Sequence, residues 1–81
     1  MSSITYYVAM GFRREEDGEL VALEAVETRS SSAAVSRARA LAAKEAGAVA
    51  FSRTGDPDIG EFSDAIVLYR EGDVPTEIPM S

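Results

Sequence analysis

Three carboxylates lie close together in one short segment, and carboxylates are the side chains best suited to bind a hard cation. Asp56, Asp58 and Glu61 belong to the run Asp-Pro-Asp-Ile-Gly-Glu. Oxygen ligands at alternate positions followed by glycine are typical of a calcium loop. When the run is aligned on its glycine, however, Ile59 takes the third ligand position of the EF-hand pattern, and isoleucine also replaces the closing glutamate. We therefore expect an ordinary charged turn, with weak cation binding by Asp56, Asp58 and Glu61 as the alternative.

Catalytic chemistry is restricted by the residue types that the sequence contains. The chain has no cysteine and no histidine. A Ser–His–Asp or Cys–His arrangement, a disulfide framework and the usual structural zinc site are therefore excluded within this chain. Glu24 and Glu27 lie three residues apart in a predicted strand, so they project from opposite faces and do not form a carboxylate pair. We favour a non-enzymatic role and expect no cofactor.

The charge balance limits the classes of partner. Fourteen acidic residues outnumber eight basic ones, which gives a net charge of −6. Such a chain repels phosphate backbones and anionic membranes, and it attracts cations or a basic protein. A local arginine patch that holds a phosphate or an acidic partner is the alternative. The first residues carry neither a basic region nor a long apolar run, so we expect a cytoplasmic protein that does not associate with membranes.

The N-terminal part of the chain predicts a β-hairpin. Apolar and aromatic residues alternate from Ile4 to Arg14, and an extended pattern resumes from Leu20 to Thr28. Asp17-Gly18 lies between these runs and has the composition of a turn. The larger side chains of the first strand share one face, and we expect that face to pack under a helix. Its members are Tyr6, Val8, Met10 and Phe12.

The remaining segments predict a helix and a second pair of strands. Serines 30–32 have hydroxyls that cap helices, the range 33–46 lacks Gly and Pro, and Gly47 is typical of a left-handed C-cap. Residues 48–53 and 62–70 have strand patterns around a turn. The second is apolar on both faces, which is typical of a central strand or of a sheet whose outer face is covered by another element. We predict one α+β domain over residues 1–73, a four-stranded antiparallel sheet with the order β-β-α-β-β and one helix on one face, and a flexible tail over residues 74–81.

Residues 38–75, ARALAAKEAGAVAFSRTGDPDIGEFSDAIVLYREGDVP, resemble the helix and second hairpin of small uncharacterised bacterial proteins, some of them carried on prophages. The resemblance covers about the C-terminal half of the chain and rests on composition and element order. It implies the same β-β-α-β-β plan. It supplies no catalytic residue and no activity.

One sheet face is expected to remain uncovered, since a single helix covers only one side. Tyr7, Val67 and Tyr69 are assigned to that face, and tyrosine provides a large contact area at low entropic cost. We therefore predict a protein-interaction module that binds a protein partner or a second copy of itself through this face or a sheet edge. The alternatives are a ligand- or cation-binding domain that uses carboxylates and arginines, and an acidic inhibitor that imitates nucleic acid.

Overall fold

The computed structural model describes residues 3–75 and contains one helix and six strands. The α+β class is confirmed, and the strand number is higher than predicted because the second and fourth predicted strands are each broken in two. The elements, in chain order, are β1 (Ile4–Arg14), β2 (Leu20–Ala22), β3 (Val26–Thr28), α1 (Ser31–Lys44), β4 (Gly47–Asp56), β5 (Glu61–Phe62) and β6 (Ile66–Gly72).

β1 and β4 are the two central strands of a single antiparallel sheet. They pair over nine residues, from Ile4 opposite Gly55 to Phe12 opposite Gly47. β2 and β3 pair with the free side of β1, and β5 and β6 pair with the free side of β4. The predicted central position of residues 62–70 is wrong. The helical crossover brings β4 directly against β1, and β6 is left at an edge.

Helix α1 begins as the sequence predicts and ends differently. The Ser30 hydroxyl accepts the backbone N–H of Ala33 at 3.2 Å, which is N-capping. The cap at the other end is Glu45 in an extended conformation, and Gly47 is the first residue of β4. The predicted left-handed cap is therefore wrong. Glycine is needed at position 47 for a different reason, because a Cβ there would lie 2.1 Å from the carbonyl oxygen of Asp73.

The helix packs on the small side chains of the sheet. Five alanines, all without exposed surface, form this core: Ala9, Ala34, Ala38, Ala48 and Ala50. The expectation that Tyr6, Val8, Met10 and Phe12 lie under the helix is wrong, because alanine on both elements allows their backbones to approach closely and larger residues would hold the helix off. We call this side of the sheet the helix face and the other side the outer face.

A second core forms on the outer face, toward the end of the sheet where Phe12 lies. Phe12 and Val49 are fully buried there, and Leu20, Ala65 and Val74 pack against their cluster. Val74 reaches this position because the chain reverses at Gly72, whose φ is 77°, and the N–H of Asp73 donates to the carbonyl of Ala46 at 3.0 Å. Val74 belongs to the segment predicted as a tail. The last part of that tail, 76–81, lies outside the described residues.

Candidate interaction surface

The outer face is uncovered at the end of the sheet opposite Phe12, where β1 begins and β4 ends. Strand register brings together side chains that are distant in sequence, since Ile4 lies opposite Gly55, and Gly55 lies opposite Phe62. Tyr6 lies opposite Arg53 in the same ladder. Val67 lies on the outer face because it pairs with Phe51. We call the resulting surface the outer patch, and its members are Ile4, Tyr6, Arg53, Phe62 and Val67.

Two aromatic rings form the centre of the outer patch. The ring centroids of Tyr6 and Phe62 are 5.9 Å apart and the rings are tilted by 44°, a favourable arrangement of aromatic pairs. The Arg53 guanidinium lies 5.3 Å from the centroid of Phe62, and its Nε donates to the carbonyl of Ser63 at 3.0 Å. The Phe62 ring also lies directly over Gly55, where a Cβ would be 2.3 Å from Cδ1. These contacts hold the rings in a defined position.

The outer patch exposes apolar surface. The exposed fractions are 41% for Ile4 and 47% for Val67, and the two rings are half-buried. Phe12 and Val49, on the same face at the other end of the sheet, have no exposed surface. Isolated exposed apolar residues are common on protein surfaces, whereas several around an aromatic pair are typical of a contact site.

The sheet edges are less suited to binding than the face. On one edge, β2 and β3 are separated by residues 23–25. On the other edge, Ala50 lies opposite Tyr69 and Phe51 lies opposite Val67, so Leu68 is the extra residue of a bulge in β6. Breaks and bulges interrupt the row of backbone groups that an added strand would need. Of the two surfaces predicted from sequence, the face is therefore the better candidate.

The three residues predicted to form an interaction face do not share one surface. Val67 lies in the outer patch, whereas Tyr7 and Tyr69 pack against the alanine core on the helix face. Their assignment to the open face is wrong because it depended on the wrong choice of the face under the helix. A role of the two tyrosines in binding stays a prediction.

Tyr69 takes part in a polar cluster at the margin of the helix face. Its hydroxyl donates to the Glu71 carboxylate, and the Arg39 guanidinium lies 5.5 Å from its ring centroid. The hydrogen bond to Glu71 raises the pKa of the Tyr69 hydroxyl above its usual 10.0, with smaller raising contributions from desolvation and from the Glu71 charge; Arg39 opposes the shift. The cluster links the helix to the edge strand.

The acidic turn has a structural explanation. Asp56 Oδ1 accepts the N–H of Asp58 at 2.9 Å, and the carbonyl of Asp56 accepts the N–H of Gly60, also at 2.9 Å. This is the local bonding by which aspartate stabilises turns. Asp58 and Glu61 are exposed. Within residues 3–75, no three acidic side chains are grouped closely enough to hold a metal ion.

Sequence reasoning missed Ile4, Tyr6 and Phe62 as members of one exposed surface. Tyr6 and Phe62 are far apart in the chain and meet only through the register of β1, β4 and β5. The available signal was Gly55, because glycine within a strand often marks a position where another group approaches closely.

Comparison with protein-family models, with curated proteins and with solved structures finds no match to this chain. The resemblance of residues 38–75 to small bacterial proteins therefore stays a prediction. Across residues 3–75, no helix is both long and apolar enough to cross a membrane.

Proposed function

We propose that this protein is a non-enzymatic interaction module that binds another protein molecule through the outer patch. The observation that carries the proposal is the exposure of Ile4 and Val67 on the sheet face that carries the Tyr6–Phe62 ring pair. Burying exposed apolar area contributes roughly 25 cal/mol per Å² to association. The patch therefore has a driving force for binding that the charged surfaces around it lack.

The make-up of the patch supports this role. Aromatic residues and arginine are enriched among the side chains that dominate protein–protein binding energies. Arg53 and Phe62 are in contact, and Phe62 is fixed against the backbone of Gly55. Because these groups are already ordered, binding costs less side-chain entropy than it would for mobile residues.

Photo-crosslinking tests the proposal. A photoreactive phenylalanine analogue at position 67 is expected to give protein adducts in the natural host cells, and the same analogue at Ala40, an exposed position on α1, is expected to give few. The substitution Tyr6→Ser should reduce the adducts at position 67. Equal adducts at both positions, or adducts at position 67 that are unaffected by Tyr6→Ser, would contradict a role for the patch.

Light scattering after gel filtration, over a hundredfold range of protein concentration, tests whether the partner is a second copy of the chain. A dimer that Val67→Ser converts to a monomer places self-association at the patch. A dimer that Val67→Ser leaves intact places it elsewhere, and a monomer at all concentrations means that the partner is a different protein.

A further inference from the structure

We propose that the partner of the outer patch is a basic, amphipathic protein segment, with apolar side chains for the patch and Lys or Arg residues for the acidic groups beside it. This inference rests on the proposed function. It adds the chemistry of the partner, and it follows from how charge is distributed around the patch.

Uncompensated carboxylates lie at the end of the sheet that carries the outer patch. The turn between β4 and β5, together with the link from β5 to β6, carries Asp56, Asp58, Glu61 and Asp64. Asp56 and Glu61 pair with each other next to Gly55 and Phe62, so these two side chains project from the opposite face at this end. None of these four forms an ion pair with a cation in residues 3–75. Arg53 is the nearby cation, but its guanidinium lies over Phe62 and donates to a backbone carbonyl. We call these four carboxylates the acidic rim.

The other end of the sheet contains two ion pairs. There Arg13 pairs with Glu15 at 3.1 Å, and Arg14 pairs with Asp73 at 3.1 Å. That end also has its apolar side chains covered by Leu20 and Val74. Within residues 3–75, Glu16, Asp17 and Glu19 at that end form no ion pair either, so both ends carry unpaired negative charge. Exposed apolar side chains accompany this charge at the end with the outer patch, whereas Phe12 and Val49 at the other end are buried.

Charge complementarity selects a basic partner over a second copy. Two outer patches in contact would bring two acidic rims close to one small apolar interface, and like charges oppose such an approach. A segment with positive charges is attracted by the rim and by the net charge of −6, which increases the association rate at low salt. Apolar side chains of the same segment then cover Ile4 and Val67.

The test uses two synthetic 12-residue peptides, one alternating Lys with Leu or Val and the other with Glu in place of every Lys. Binding to the full chain is measured by fluorescence anisotropy at 50 mM and 300 mM NaCl. We expect the lysine peptide to bind at least tenfold more tightly than the glutamate peptide, and more weakly at the higher salt concentration. Val67→Ser should weaken binding of the lysine peptide at least fivefold, because the apolar contact is lost while the charge is unchanged.

A matched pair of variants separates local from overall charge. The rim variant combines Asp58→Asn, Glu61→Gln and Asp64→Asn. The control variant combines Glu15→Gln, Glu16→Gln and Asp17→Asn, which lie at the β1–β2 hairpin tip, far from the patch, and removes the same number of charges. We expect the rim variant to weaken binding at least fivefold and the control less than twofold. Thermal unfolding of each variant establishes that it is folded.

Three results would overturn the inference, and they differ in what they mean for the proposed function. Equal weakening by the rim and control variants would show that the peptide responds to overall charge alone. Equal binding of both peptides, lost in Val67→Ser, would remove the basic partner and retain the patch as a binding site. A dimer that Val67→Ser dissociates, without binding of either peptide, would make the second copy the partner. If the crosslinks at position 67 also fail, the proposed function fails as well.

Discussion

The two faces of the sheet differ in the size of their side chains and in how the chain covers them. The centre of the helix face consists of alanines, and one helix covers them closely. The outer face carries large side chains, and short segments of the chain cover only the end that contains Phe12. Small residues therefore determine where the helix lies. Large residues provide a core where the chain folds back over them and an accessible surface where it does not.

Truncating a large side chain on the outer face should have the largest effect on stability. Phe12 is fully buried, so Phe12→Ala removes apolar contacts and leaves a cavity, with an expected loss of about 3–5 kcal/mol in the free energy of unfolding. Urea denaturation followed by circular dichroism measures it. Phe62→Ala is the matched control on the same face, and its loss should be smaller because Phe62 is half-buried. Equal losses would mean that the two ends of the outer face do not differ.

Enlarging a side chain on the helix face should be the next most harmful change. Ala38 has no exposed surface between the helix and the sheet, so Ala38→Leu forces the two apart and should cost about 1–3 kcal/mol. Ala40→Leu, at an exposed position on the same helix, should be close to neutral. The same urea measurement compares the two variants. A neutral Ala38→Leu would show that the alanine contacts do not set the distance of the helix from the sheet.

Gly11 tests how much space the helix face leaves. A Cβ there would lie 3.4 Å from Leu23 Cδ1, 3.5 Å from Glu45 Cγ and 3.6 Å from Leu41 Cβ, so one methyl group fits with little adjustment. Because glycine within a strand costs roughly 0.5–1 kcal/mol relative to alanine, Gly11→Ala should be neutral or stabilise the protein by up to about that amount. A shift in the thermal midpoint measures the effect. A clear decrease in the midpoint would indicate tighter packing than these distances imply.

The Tyr69 cluster at the margin of the helix face should give the smallest effect, and it depends on pH. The pKa of Tyr69 is raised in the folded protein, so its contribution to stability is fully present below pH 10 and is lost as the pH rises through the folded-state pKa. The difference in unfolding free energy between the wild type and Tyr69→Phe should thus be smaller at pH 11 than at pH 8. In a tyrosine absorbance titration, Glu71→Gln should lower the midpoint of this residue. An unchanged midpoint would exclude Glu71 as the main cause.

Local signals in the sequence predicted the elements that depend on local structure. The hairpin tip at Asp17-Gly18 is confirmed by the positive φ of Gly18, and the serine cap of the helix is confirmed at Ser30. In both cases the determining contacts lie within a few residues of each other. The α+β class followed from the order of these elements.

The choice of sheet face could not be predicted by the same means. Alternation divides β1 into two sets of residues, but it does not state which set the helix covers. Side-chain size suggested the wrong set, because the controlling factor was the fit of Ala38 against Ala9 and Ala50 across the interface. The outer patch was missed for a related reason, since contact between Tyr6 and Phe62 requires the register of three strands.

The pairing of β1 with β4 also has a consequence for the order of folding. Every pair in this central ladder joins the first strand of the hairpin to the strand that follows the helix, so each closes a long loop. Contacts of this kind form late and slow the folding of a domain. During synthesis, the hairpin and helix leave the ribosome before β4 has emerged. We expect the side of β1 that pairs with β4 to be unpaired during that interval, which makes the nascent chain most prone to aggregate before residue 56 has emerged.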